Sequence, residues 1–326
     1  MKLRRPIEPD GLAGSNTICE IWCTKLANYV FIRRSERDIY TNLGFELADM
    51  IPPIANNFVA GETPGTALDH VEHSNDKGIK GIVNLLGEHY SDYEDAAADT
   101  EEYIELSEQI LQRDVDACIS VKPTQLGLGV SEELFERNLE RIVDASDTFV
   151  WIDMEDHSTT DVTLDAFEEL TLATGGNVGV CVQSNLLRTG TDLQRLVDLP
   201  GKVRLVKGAY AEPAKIAFTD REKITQVCHD QLEYMFQEFD EGIALGSHDP
   251  ALVEHAHELH REYGKPYEIQ MLMGVREEAQ RNLADQTEAE VYQYVPYGPR
   301  WLSYFYRRLR ERKENVGLAA RAIFGN

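Results

Sequence analysis

The run Val178-Gly179-Val180-Cys181-Val182, the amphipathic segment at residues 191–199 (TDLQRLVDL) and the run Val203-Arg204-Leu205-Val206 follow one another closely, and their reading decides the fold. Two short β-branched stretches flanking an amphipathic one form the pattern of a strand, a crossover helix and a second, parallel strand. The same alternation extends outward in both directions. Further apolar runs lie near residues 57–60, 79–86, 115–121, 148–154, 242–245 and 267–272. Charged amphipathic segments separate them, at residues 91–112, 131–145, 163–173, 221–239, 250–263 and 276–284. Eight strands alternating with helices predict an α/β fold, a (β/α)8 TIM-type barrel with N-terminal helices. A doubly wound open sheet is the alternative, although no G-x-G-x-x-G follows any of the strands. Helical spacing near the start stops at Pro52-Pro53, so the expected division is an N-terminal helical segment, residues 1–55, and a barrel, residues 56–326. Thr63, Ser131 and either Asp161 or Thr163 are the expected helix caps.

The 326-residue chain has 32 Lys and Arg against 57 Asp and Glu, a formal charge of −25, which disfavours nucleic acid and anionic membrane surfaces as electrostatic partners. The acids are spread along the chain as a solvated surface, the pattern expected of a halophilic protein from a high-salt cytoplasm. No window holds 18 uninterrupted apolar residues, and the basic start at Met1-Lys2-Leu3-Arg4-Arg5 leads into no apolar signal core, so a cytoplasmic location is expected. Cys19, Cys23, Cys118, Cys181 and Cys228 lack C-x-x-C spacing and read as reduced and structural.

A βα barrel gathers its chemistry at the carboxyl ends of its strands. There the chain places Glu88 and His89, Lys122, then Asp153, Glu155 and Asp156, then Gln183, Lys207, His248 and Gln270. Three chemistries remain open on these residues alone. Lys122 or Lys207 could form a Schiff base, as in a lyase or aldolase barrel. His89 and His248 with the nearby carboxylates could hold a metal, whereas His255, His257 and His260 read as solvated. Or the pocket takes a large cofactor through many neutral and cationic donors. Beyond the last of these strands, the aromatic, strand-like run Tyr292-Gln293-Tyr294-Val295-Pro296-Tyr297 ends in a Gly-Pro turn. A helix-like stretch follows with Tyr304, Tyr306, Arg307, Arg308, Arg310 and Arg312, either a basic surface helix or an anion clamp walled by rings.

The strings LGE, SVKxTQL, IDMED, RLVKGAY, SHD, QMLxGVR and YVPYG followed by YFYRRLRER occur in this order within residues 57–316. This series resembles the proline dehydrogenase family, flavoenzymes that also form one domain of bacterial bifunctional proline-utilisation proteins. The resemblance implies FAD as cofactor and oxidation of L-proline to 1-pyrroline-5-carboxylate by hydride transfer from C5 to flavin N5, the first step of proline catabolism. It further implies a quinone or another electron acceptor, peripheral membrane contact for electron delivery and a separate pyrroline-5-carboxylate dehydrogenase. By the same resemblance Arg307, Arg308 and Lys122 pair with the substrate carboxylate, Glu88 pairs with one of those arginines, and Asp153 orients the Lys122 side. Tyr210, Leu272, Tyr294 and Tyr304 pack on the pyrrolidine ring. Arg204 resembles the residue that approaches flavin N5, and Gln183, Val206, Lys207, Gly208, Ala209, His248 and Gln270 resemble the remaining FAD contacts. Arg310 and Arg312 stay surface charges. The chain departs from the family pattern at Asn84, at Ser184-Asn185 and at Met273. A non-catalytic proline- or flavin-binding sensor is the non-enzyme alternative. The resemblance also implies a substrate preference: relatives that oxidise hydroxyproline tend to have a small polar residue at the position of Tyr294, so Tyr294, filling the space a 4-hydroxyl would need, favours L-proline.

Overall fold

The computed structural model describes residues 55–302, 304 and 305. The expected N-terminal helical segment up to residue 54, including Cys19, Cys23 and Pro52-Pro53, lies outside the described residues. So do Tyr306, Arg307, Arg308, Arg310 and Arg312.

Helix α1 (Pro64–Asn75) leads into strand β1 (Lys80–Leu85), and strands and helices then alternate: α2 (Tyr93–Arg113), β2 (Ala117–Val121), α3 (Glu132–Ala145), β3 (Val150–Ile152), α4 (Thr160–Thr174), β4 (Val178–Gln183), α5 (Thr189–Leu196) and β5 (Lys202–Val206). The series ends with α6 (Arg221–Glu238), β6 (Ile243–Gly246), α7 (Pro250–Tyr263), β7 (Tyr267–Leu272), α8 (Glu277–Gln286) and β8 (Glu290–Tyr297). Each strand pairs in parallel with its sequence neighbours, and β8 pairs with β1 from Lys80↔Tyr292 to Leu85↔Tyr297, which closes the barrel.

Two local expectations need correction. Residues 57–60 are not a strand: Ala55–Asn57 forms a single 3-10 turn, and Phe58 N and Val59 N donate back to Ala55 O at 2.9 and 3.0 Å. Ala60 N reaches Pro296 O at 2.9 Å and Gly61 O accepts from Gly298 N at 3.0 Å, but these two bonds make no ladder, and the aromatic run at Glu290–Tyr297 is the eighth strand. Thr63 and Ser131 do cap their helices. Helix α4, however, starts at Thr160 behind Thr159, with no side-chain cap. Asp156 instead accepts from Ser158 N at 2.8 Å and starts a 3-10 turn, His157–Thr159, that runs straight into the helix.

Because strand side chains alternate, each strand presents one set to the helices and the other to the lumen. Val83, Ile119, Ile152 and Leu205 face outward into the main core with Leu106, Phe135 and Phe167 from the helices. Inside, Ile82, Cys118, Trp151, Ala244 and Tyr292 make a small apolar plug. Trp151 fits because β4 offers Gly179 opposite it: a Cβ there would lie 2.6 Å from the indole ring. The Arg204 guanidinium stacks 4.8 Å above that ring, so the plug floors a lumen that is polar from this level upward.

The upper ends of β1 and β2 separate after the pair Val83↔Ile119, and Tyr103 of α2 enters the gap. Its hydroxyl, fully buried, donates to Ser120 O at 2.9 Å and accepts from Asn84 Nδ2 at 3.1 Å, with Leu85 O at 3.3 Å. Asn84 is thus tied into the wall between the strands. Tyr103→Phe removes that hydroxyl from groups water does not reach. We expect a loss of about 1–3 kcal/mol, read as a lower urea midpoint at unchanged slope. An unmoved midpoint would show that the wedge contributes nothing.

Candidate active site

Strand β3 is short, but Asp153 N donates to Val121 O at 2.9 Å, which extends the pairing by one residue and turns the Asp153 side chain into the lumen. There it accepts four donors. Ser120 Oγ at 2.6 Å and Arg204 Nη2 share Oδ1; Lys122 Nζ at 2.5 Å and the Tyr294 hydroxyl at 2.7 Å share Oδ2. These donors come from β2, the exit of β2, β5 and β8, so one carboxylate ties together four places on the rim. Asp153 is 7% exposed. Burial alone would raise its pKa, but Lys122 and Arg204 beside it, with their hydrogen bonds, hold the carboxyl well below the usual range. Burial likewise opposes the charge on Lys122 and on Arg204, and Asp153 overcomes it, so both stay cationic. Burial and the Asp153 charge push the Tyr294 phenol up, so it remains a neutral donor. Two cations therefore share this one carboxylate in a pocket little exposed to water, with the Glu155 carboxyl close enough to act on Lys122 as well.

A second buried carboxylate braces the first. Glu155, 1% exposed, accepts from Thr124 N at 2.7 Å and Thr124 Oγ1 at 2.6 Å, and burial raises its pKa. Thr124 in turn receives His89 N on Oγ1 at 2.8 Å and Tyr90 N on its carbonyl at 3.1 Å. Gln183 Nε2 donates to Glu155 O at 2.8 Å. The exits of β1, β2, β3 and β4 are thereby fastened to one another, with His89 held in the left-handed region at φ 60°.

Of the residues expected at the site, Lys122, Asp153, Tyr294 and Arg204 meet directly. Tyr210 lies close to them: burial raises its pKa to about 12, and it feels the charges of Lys122, Glu155, Glu88 and Asp153. On the opposite side of the mouth, Leu272 N donates to His248 Nε2 at 3.1 Å, so that ring nitrogen carries no proton. Lys207 Nζ is paired with Asp249 at 2.6 Å and Thr225 Oγ1 at 2.8 Å. Gly208, at φ 106°, brings the backbone against Asn185, where a Cβ would sit 2.2 Å from Asn185 Oδ1. Tyr304 is buried among Phe58, Leu86, Trp301 and Phe305. The three helix histidines are not simply solvated: His257 Nδ1 meets the Tyr267 hydroxyl, His260 pairs with Glu288 at 2.8 Å, and the His255 ring lies 4.6 Å from that of His229 at a tilt of 49°. Among the described residues, no group of three or more His, Cys, Asp or Glu is arranged to hold a metal.

Sequence reasoning missed Ser120 and Thr124 as partners of the two carboxylates, and the pairing of Arg204 with Asp153. Ser120 was within reach of it, because it stands two residues from both Cys118 and Lys122 and so shares their face of β2. Arg300 was also missed. Its guanidinium lies 4.7 Å from the Tyr90 ring, bonds the Tyr90 hydroxyl and pairs with Asp99 at 3.3 Å, holding the turn after β8 against α2.

A model of the family described as proline dehydrogenase matches residues 67–321. Proline dehydrogenase 1 of Bacillus subtilis (strain 168) is 33% identical over 275 residues, covering 82% of this chain and 90% of its own length. The proline dehydrogenase of Deinococcus radiodurans is 32% identical over 285 residues, covering 83% and 90%. The crystal structure of proline utilization A from Bdellovibrio bacteriovorus inactivated by N-propargylglycine has the same fold, with a TM-score of 0.72 at 22% identity. That match covers 83% of this chain and 34% of the other, so the chain spans about a third of that protein's length.

Asp153→Asn would leave Lys122 and Arg204 buried without their counter-charge, at a cost of about 3–5 kcal/mol at pH 7. The folded-state pKa of Asp153 lies below the unfolded value of about 3.9, so its stabilisation is complete above that pH and is lost as pH falls toward the folded value. The gap in urea midpoint between wild type and D153N should therefore be large at pH 7 and smaller at pH 3. An equal gap at both would contradict the assignment.

Proposed function

Since the chain belongs to the proline dehydrogenase family and its reaction is the oxidation of proline, we propose that the product is 1-pyrroline-5-carboxylate and that FAD takes the hydride from C5. The observation that supports this reading is the meeting of Lys122, Arg204 and the Tyr294 phenol on the buried Asp153 carboxylate, which keeps two cations charged at the barrel mouth. Proline is a small apolar ring with an anionic carboxylate, and charge-assisted bonds from Lys122, joined by Arg307 and Arg308, suit that group. Glu88 pairs with one of those arginines. Tyr294, whose hydroxyl is tied down by Asp153, walls the ring together with Tyr210, Leu272 and Tyr304, excludes water and leaves no room for a 4-hydroxyl.

The residues present fit a flavin on the β5–β7 side of the mouth. Asn185 Oδ1 is buried there with no hydrogen-bond partner among the described residues, an acceptor awaiting a donor. Gly208 leaves the backbone beside it bare. Arg204, Lys207 and His248 supply cationic or polar groups suited to an anionic dinucleotide. Gln183, Val206, Ala209 and Gln270 complete the set we assign to FAD. The opposite side is unsuited to phosphate: a cleft of about 530 Å³ between the β2 and β3 exits is lined by Glu132, Glu133 and Asp156. FAD when bound supplies the hydride acceptor, and the protein supplies orientation, charge and dryness.

Electrons leave in this proposal to a quinone or another acceptor through peripheral contact with a membrane, and a separate dehydrogenase consumes the product. Among the described residues, no helix is long and apolar enough to cross a membrane. A Schiff-base lyase using Lys122 would need a neutral amine, whereas Asp153 holds this lysine protonated well above its ordinary range. The purified protein loaded with FAD should show the flavin band near about 450 nm, and anaerobic L-proline should bleach it. A flavin that stays oxidised in the presence of proline would overturn the reading and leave a binding protein.

A further inference from the structure

Below the reaction centre the lumen holds a string of side chains whose lower members, Lys202 and Glu268, have no role in the steps above. From the N-terminal end of the barrel, Lys202 Nζ pairs with Oε1 of Glu268. The other oxygen, Oε2, accepts from Gln270 Nε2 at 2.8 Å. Gln270 Oε1 accepts from Arg204 Nη1 at 3.1 Å, and Arg204 Nη2 ends the string on Asp153. Glu268, Gln270, Arg204 and Asp153 are between 4% and 7% exposed. The string crosses from β5 to β7 over β6, where Ala244 stands in register with both Arg204 and Glu268 and its single methyl leaves the space open.

Lys202 and Arg204, the two cations of this string, are donors only, an ammonium and a guanidinium. An amide such as Gln270 passes polarity along, receiving at its oxygen and giving from its nitrogen, so it cannot by itself join two donors. One residue between them has to be an acceptor on both sides, and Glu268 is that residue. Its carboxylate draws the NH2 of Gln270 toward itself and so leaves the Gln270 oxygen facing Arg204. We propose that Glu268 is a positioning residue: acting through the Gln270 amide from β7, two strands away, it fixes the Arg204 guanidinium against Asp153 and Trp151. The consequence for catalysis rests on the assignment of Arg204 to the reaction centre; the geometric claim does not.

The test is Glu268→Gln, alone and with Lys202→Met. A glutamine at 268 has one oxygen for two donors, so two donors must face one another at one end of the string, and Arg204 loses its fixed partner. Removing the ammonium with K202M frees the new amide to turn its oxygen to Gln270, which restores the original polarity at Arg204. The readouts are the slowly exchanging guanidinium signals of Arg204 in proton–nitrogen spectra of the full chain, assigned by their loss in R204K, and kcat for proline. In E268Q the signals should shift or broaden and kcat should fall by about tenfold or more. In K202M/E268Q both should return toward wild type. Arg204 signals unchanged in E268Q, or a double variant as altered as the single one, would overturn the proposal. If E268Q does not fold, K202M/E268Q carries the test alone: wild-type Arg204 signals support the proposal and altered ones overturn it. If the wild type does not oxidise proline, the functional reading fails while the guanidinium signals still decide this one.

Discussion

The interaction on which the rest of the site depends is the one between the buried Asp153 carboxylate and the two cations that share it, Lys122 and Arg204. A lone carboxylate in a dry barrel would take up a proton, and two lone cations would repel each other or recruit water. Together they hold one another charged. The ionised Asp153 also decides what its neighbours are: it keeps Lys122 an ammonium and so a carboxylate partner, and it keeps the Tyr294 phenol a donor pinned at the rim. Removing one partner changes the chemistry of the others.

The fold meets the demands of that cluster with small residues in specific places. A lumen with charges needs a floor, and Trp151 supplies it only because Gly179 opposite has no side chain. Side chains on β5 and β7 meet because Ala244 on the intervening strand is short. Where β1 and β2 part at the rim, the Tyr103 hydroxyl and Asn84 amide satisfy Ser120 O, so the strand carrying Ser120 and leading to Lys122 stays in place. Thr124 and Glu155 do the same for the exits of β1 to β3. Polar groups buried this deeply are stabilising only when each has its partner.

The barrel was legible in the sequence because strands buried on both faces appear as continuous apolar runs and their helices as amphipathic ones. The miss at residues 57–60 comes from the same rule: Phe58 and Val59 are buried and apolar, yet they pack behind the β1 exit and make no ladder. The residues at strand ends were legible as a set, since barrel topology gathers them whatever their side chains do. Their pairings were not. The chain brings Arg204 to Asp153 and Glu268 to Gln270 through strand register and lumen width, which no local pattern records. The Asp161 and Thr163 caps failed because a 3-10 turn capped by Asp156 precedes the helix and moves its start forward. Arg307 and Arg308, which the resemblance assigns to the substrate carboxylate, lie outside the described residues, so the proposed clamp stands on the half that Lys122 provides.

The central claim is that Asp153 stays ionised inside the barrel and organises its neighbours by charge. Its titration can be followed directly by carbon NMR of protein labelled at aspartate side-chain carboxyls, with the resonance identified by its loss in D153N. The account predicts that this signal stays at its ionised position from pH 7 down to pH 3 while exposed aspartates titrate. A signal that titrates near about 4, the ordinary value for an aspartate, would mean that Lys122 and Arg204 do not hold it, and the account of the site would fail with it.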